Sequence, residues 1–179
     1  MLRRPTPADW PGLEQLWQLY MHDLSGLRGT MPGPDGRFHT RRLEPYRDES
    51  DPDRRAYLIE QDGPPVGFAF VSRLTERPML MSEFFVVRAV RRSGVGRAAA
   101  VEVLARHAGQ WEIPFQEGNT GAVRFWRQVA TDVAGDSWRE DRRPVPGKPH
   151  IPPDVWITLE IAPQVSRRPT QSIAQNGSE

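Results

Sequence analysis

The chain has 179 residues, and 24 Lys or Arg against 23 Asp or Glu leave a net charge of +1. That length suits one globular domain with a sizeable core, and the near-neutral balance argues against nucleic acid or an anionic membrane as the main partner. With no cysteine in the chain, a disulfide framework, a thiolate nucleophile and a Cys-ligated metal are excluded.

Eighteen prolines and 15 glycines call for long loops between the ordered elements. Nearly every cation is arginine, Lys148 being the only lysine, so a phosphate clamp here would use planar guanidinium groups. The segment MLRRPTPADW has cations but no apolar run behind them, and no apolar stretch approaches the ~20 residues that span a bilayer. A cytoplasmic protein is the expectation.

Leu2 to Arg4 suit a short first strand. Thr6 as N-cap, Pro7 at the first helical position and Asp9 three places after the cap then announce a helix. Trp10, Leu13, Leu16, Trp17, Tyr20 and Leu24 give it one apolar face, and Ser25 and Gly26 predict its end. Residues 26–54 are rich in Gly, Pro and charge and read as a substrate-side segment. Its acids Asp48, Glu49, Asp51 and Asp53 either recruit a cationic substrate or simply flank a solvated loop. Ala56–Glu60 and Val66–Ser72 form a hairpin around Asp62 and Gly63.

The organising stretch is Met79–Ala108, MLMSEFFVVRAVRRSGVGRAAAVEVLARHA. Leu80 to Val87 read as a strand buried on both faces. Gly94 and Gly96 allow a tight turn that gathers amide N–H groups. From Val95 the apolar residues leave only a narrow polar strip, as in a helix lying on a sheet. The N-terminus of that helix presents free N–H groups and the positive dipole end to an anion. Trp111–Gln116 is the next strand, with Pro114 implying a splayed or edge position. Glu117–Thr120 leads into a helix with Ala122, Phe125, Trp126 and Val129 on one face. Strand, helix and strand at this spacing make a parallel crossover. Short strands at Ser137–Glu140 and Val155–Ile161 close the domain, residues 1–161. Residues 162–179 are too polar to pack and read as a disordered tail.

RRSGVG alone is a weak signal, since a plain turn has the same composition. It lacks the lysine of a P-loop and the third glycine of a dinucleotide fingerprint. Placed after a buried strand and followed by NTGAVRFW, it resembles the GNAT superfamily of N-acetyltransferases. The family signature Arg/Gln-x-x-Gly-x-Gly/Ala matches Arg91, Gly94 and Gly96, and its second block matches Asn119, Ala122, Phe125 and Trp126. By element order the resemblance covers residues 1–161.

The resemblance implies a single α/β domain with a mixed sheet, and acetyl-CoA as co-substrate without a metal. The pyrophosphate would lie on the loop amides of Arg92, Ser93, Gly94, Val95, Gly96 and Arg97, with Arg91 opening the motif. The pantetheine arm would pair with Val86 and Val87 and touch Asn119. Phe125 and Trp126 would line the channel, core packing being the equal alternative. The acceptor would be a small-molecule or peptide amine, with a homodimer left open. A non-catalytic acyl-CoA-binding domain is the other reading, because Trp126 stands where family members often carry a tyrosine acid.

Direct transfer needs a base, an oxyanion donor and a proton for the leaving thiolate. Glu83, a carboxylate inside an apolar strand, is the candidate base. The alternative is a structural carboxylate hydrogen-bonded at a bulge. His22 and Asp23 are second choices, and the N–H of Val86 or Val87 is the expected oxyanion donor. The histidines at 39, 107 and 150 are too scattered to suggest a metal site.

Overall fold

Seven strands form one sheet in the computed structural model, which describes residues 1–147 and 150–163. Lys148 and nearly all of the tail expected from residue 162 onward lie outside the described residues. The strands are β1 (Leu2–Arg3), β2 (Arg55–Glu60), β3 (Pro65–Ser72), β4 (Met79–Val86), β5 (Gly109–Gln116), β6 (Trp138–Arg143) and β7 (Asp154–Ile161). Three helices accompany them, α1 (Trp10–Arg28), α2 (Val95–Ala105) and α3 (Thr120–Ala134). The spatial order is β1-β2-β3-β4-β5-β7-β6. Neighbours are antiparallel except β4 and β5, whose parallel ladder covers only Met79 with Trp111 and Leu80 with Glu112.

Each sheet face has its own core. On one, Trp10, Leu13, Trp17 and Met21 of α1 pack on Leu58, Phe68, Phe70 and Phe85, with Phe38 and Leu43 of the following loop closing the edge. On the other, Ala99, Ala100, Val103 and Leu104 of α2 and Trp126, Val129 and Ala130 of α3 cover Met79, Met81, Trp111, Ile113, Ile157 and Leu159. The alanines let α2 approach the sheet closely. Each large side chain so enclosed contributes ~1.5–3 kcal/mol.

Helix α1 begins as its sequence indicates. Pro7–Asp9 form a short 3-10 turn, and Asp9 accepts hydrogen bonds from the Thr6 N–H and hydroxyl, both at 2.7 Å. Its end differs from expectation: the helix runs through Ser25 and Gly26 to Arg28. There Gly29, at φ +62°, turns left-handed and donates its N–H to the Ser25 carbonyl at 2.8 Å. Pro114 also calls for a correction. Its strand is interior rather than an edge, but it is splayed, because Pro114 lies beyond the point where β5 stops pairing with β4.

The long connection 29–54 is pinned to α1. The Gln18 side chain donates to the Phe38 carbonyl at 3.0 Å and accepts from the Phe38 N–H at 2.7 Å, and the Trp17 indole donates to the His39 carbonyl at 2.9 Å. Three of its acids are engaged in hydrogen bonds, two of them in local turns. Asp48 accepts from the Ser50 N–H, Asp51 from the Asp53 N–H, and Asp53 from the Thr75 hydroxyl. Among the described residues no helix is long and apolar enough to cross a membrane.

Candidate active site

The register of β4 against β3 slips once: Phe70 faces Glu83, but Val71 faces Met81, so Ser82 is an extra residue. A bulge of this kind reverses the alternation of side chains. Met79 and Met81 therefore join the core under α2 and α3, whereas Phe85 and Val87 join the core under α1. Without the extra residue, Glu83 would share the face of Met81. With it, the carboxylate turns toward α1. The strand is buried on alternate positions rather than continuously.

Below the bulge β4 and β5 diverge, leaving a cavity of about 70 Å³. Glu83, Ser82 and Phe84 line one wall, and Pro114, Phe115 and Gln116 the other. Tyr20 and Leu24 of α1 and Asn119, Ala122 and Trp126 complete it. The Glu83 side chain is 3% exposed. The Tyr20 hydroxyl donates to its Oε2, and the Arg42 guanidinium pairs with its Oε1. Burial pushes the Glu83 carboxyl above its ordinary value, against the pull of the Arg42 charge and of hydrogen bonds from Tyr20 and Arg42. The Tyr20 phenol is raised well above its usual range, first by burial and then by the Glu83 charge. Its ring stands edge-on to Phe68 with centroids 5.6 Å apart.

Sequence reasoning passed over Tyr20 and Arg42. Tyr20 was visible only as one member of an apolar helix face, and it meets Glu83 across 63 residues of chain. Arg42 lay among other loop charges with no pattern to separate it. Neither second-choice base lines the cavity: His22 is exposed, and Asp23 pairs with Arg88 at 2.6 Å and with Arg91.

The loop before α2 has the expected local form. Arg92 and Gly94 take φ of +68° and +91°, and Gly94 immediately precedes the first helical turn. A Cβ on Gly94 would meet nothing within 4 Å, so its φ is what calls for glycine. At Gly96 a Cβ would lie 3.5 Å from Val86 Cγ2 and 3.6 Å from Phe125 Cε2, an ordinary contact. Ser93 Oγ donates to the Val90 carbonyl at 2.7 Å, and Val95 packs against the core. Arg91 donates Nε to the Val86 carbonyl at 3.0 Å and also pairs with Asp23, while Arg97 pairs with Asp132. Both guanidiniums are already paired, which leaves the loop's amides and the exposed Arg92 side chain as its anion donors.

The Val87 N–H donates to the Val66 carbonyl at 2.9 Å. Of the two expected oxyanion donors, this one is therefore committed. Alternation in an antiparallel ladder then turns the N–H groups of Phe84 and Val86 the other way, toward the gap with β5. Asn119 caps α3, its Oδ1 accepting from the Ala122 N–H at 3.1 Å. Trp126 belongs both to the cavity wall and to the core, whereas Phe125 stacks on Phe84 with centroids 5.5 Å apart. Among the described residues no three His, Asp or Glu gather as a metal-binding group.

The strand that parts from its parallel neighbour, the buried carboxylate on it and the glycine turn at the helix start all fall in one continuous stretch from β4 to α2. The chain matches the Acetyltransferase (GNAT) family over residues 13–130 and belongs to that family. A search of curated proteins finds no match. Among solved structures, it is similar to an acetyltransferase from Thermus thermophilus, with 20% identity and a TM-score of 0.64 over 90% of this chain and 96% of that one. A ribosomal-protein-alanine N-acetyltransferase from Brucella melitensis gives 16% identity and a TM-score of 0.60 over 90% and 99%. A GNAT family acetyltransferase from Elizabethkingia anophelis with acetyl-CoA bound gives 12% identity and a TM-score of 0.52 over 69% and 84%. At these identities the likeness establishes the fold.

Proposed function

We propose that the protein transfers an acetyl group from acetyl-CoA to a primary amine by direct attack within a ternary complex, with Glu83 as the base. The observation that carries this reading is the Glu83 carboxylate, which is buried and forms part of the cavity wall, its affinity for protons raised by that burial.

The residues present fit the cofactor. The partnerless N–H groups of Phe84 and Val86 offer a strand edge to an extended amide chain. The amides from Arg92 to Arg97, at a turn whose Gly94 faces open space, offer a nest for a diphosphate. Asn119, Phe125 and Trp126 would border the thiol-bearing arm. When bound, acetyl-CoA supplies the acetyl group as an activated thioester. Val86 N–H would steady the negative charge on the acyl oxygen. Glu83 would take the amine's proton, either directly or through water, and its hydrogen bond with Tyr20 would keep the carboxylate turned into the cavity. The carbon–sulfur bond of the thioester would break as the amine adds, and the CoA thiolate would take its proton from water, because the one proton of the Tyr20 hydroxyl is given to Glu83.

The test is a thiol-release assay with acetyl-CoA and a panel of amines. Glu83→Gln should lower kcat at least ~100-fold, while acetyl-CoA still raises its melting temperature as it does that of the unmodified protein. Undiminished turnover in this variant would remove Glu83 from the role of base.

A further inference from the structure

Resting on the reading of Glu83 as base, a second question is what kind of amine the site accepts. A cationic acceptor would find little net charge at the cavity: among the described residues Glu83 is the only charged side chain lining it, and Arg42 pairs with that carboxylate. The acids that could have drawn one, Asp48, Asp51 and Asp53, are already hydrogen-bonded, and Asp48 and Glu49 line a different shallow cleft beside Trp10 and Tyr46. The segment 28–42 carries four arginines against one aspartate. Two of them, Arg28 and Arg42, bear on the Tyr20 phenol. Arg28 is already spoken for by Asp154, at 2.7 Å with both side chains largely covered.

Arg42 is different. Its inner edge meets the buried Glu83 carboxylate, but the side chain is 55% exposed. A guanidinium has five N–H donors in a planar fork, so pairing with one carboxylate oxygen leaves the outward edge available. Its backbone is not free to wander. Leu43 beside it is fully buried and donates to the Thr40 carbonyl at 2.7 Å, and Phe38 and His39 are tied to α1. The result is a held cation in contact with Glu83, which is both a residue of the cavity wall and the group that would receive the acceptor's proton. A protonated amine or polyamine meets repulsion there. An acceptor with a carboxylate close to its amine meets a ready bidentate partner.

We propose that Arg42 is the specificity residue of this enzyme, holding the carboxylate of an acceptor that carries amine and carboxylate on the same small molecule, as an amino acid does. While the carboxylate rests on the outer edge of Arg42, the amine points past it toward Glu83.

The experiment is steady-state thiol release with matched acceptors: a set of amino acids, their primary amides and linear polyamines, each tested on the unmodified protein, Arg42→Gln, Arg42→Lys and Glu83→Gln. The unmodified protein should show KM for the carboxylates at least about tenfold below KM for the amides. Arg42→Gln should raise the carboxylate KM about tenfold to a hundredfold, the worth of one charge-assisted pair, leaving the amide KM unchanged, with Arg42→Lys in between. A preference for amides or polyamines in the unmodified protein overturns the proposal. So does a ratio of carboxylate KM to amide KM that Arg42→Gln leaves unchanged, because a fall in kcat shared by every acceptor reports only the loss of Glu83's partner. If no acceptor is turned over, thermal shifts with CoA and each carboxylate decide, and no carboxylate-specific shift overturns it. Turnover retained in Glu83→Gln would refute the base while leaving the KM comparison to judge Arg42 separately.

Discussion

Glu83 is held between two opposed influences, and its behaviour with pH follows from their signs. Burial favours the neutral acid, whereas Arg42 and the Tyr20 hydroxyl favour the anion. A base must be ionised to accept a proton, so kcat/KM should fall as pH drops through the Glu83 value. Tyr20→Phe removes a hydrogen bond made to the anion, which raises that value further. The acid limb of the profile should therefore move to higher pH, with activity recovering at the alkaline end. An unmoved limb, measured over the same pH range, would show that Tyr20 does not act on Glu83. For stability the sign is the reverse of the usual carboxylate case. The folded-state value lies above the ordinary 4.5, so this group's contribution is full below that ordinary value and declines as pH rises through the raised one. Glu83→Gln, which cannot ionise, should thus fold at neutral pH without loss of melting temperature from this source. Glu83 itself was legible in the sequence, as a lone charge among Phe84, Phe85, Val86 and Val87. Its two partners were not, because pairing across a fold leaves no local signature on an arginine in a loop or a tyrosine on an apolar helix face.

At the scale of elements, two glycines separate packing from binding. Gly67 of β3 lies so close to β4 that a Cβ would stand 2.2 Å from the Phe85 carbonyl oxygen and 3.0 Å from Val86 Cα. Gly67→Ala must push the strands apart beside the cavity and should cost about 3 kcal/mol, or about 6–12 °C of melting temperature. Gly94 is the opposite case, with empty space around it and a left-handed φ. Gly94→Ala and Gly94→Asp both carry a strain of about 1–2 kcal/mol and should fold. Only the aspartate puts a negative charge where the proposed diphosphate nest opens. It alone should abolish the thermal shift with acetyl-CoA, and equal affinity in the two variants would refute that placement. The strand, turn and helix around Gly94 were legible because period and turn residues change sharply between Val87 and Val95. The end of α1 was not, since Gly26 sits inside the helix and the left-handed cap falls on Gly29. The bulge at Ser82 was equally hidden. Nothing in SEFF marks an extra residue, yet it decides which face of the sheet receives the carboxylate.

Across the whole molecule the sheet is two half-sheets, β1 to β4 and β5 to β7, joined by two residue pairs. The halves are bound instead by what lies over them: α2 and α3 on one face, linked by Arg97 and Asp132, and α1 on the other, whose Arg28 reaches Asp154 at the start of β7. The strand-helix-strand order made the parallel pairing legible, but not its shortness, because Pro114 can be read equally as a strand edge or as a parting of strands.

That short pairing leaves one strand with two kinds of backbone. Along β4, the amides of Glu83, Phe85 and Val87 point to β3, while those of Phe84 and Val86 point into the gap. Deuterium should therefore enter unevenly, fast at Phe84 and Val86 and slow at the residues between them, within a single stretch of buried chain. An extended ligand amide laid along the gap would slow the fast pair and leave the others unchanged, so residue-resolved exchange with and without acetyl-CoA would record the sheet being completed by a molecule that is not protein.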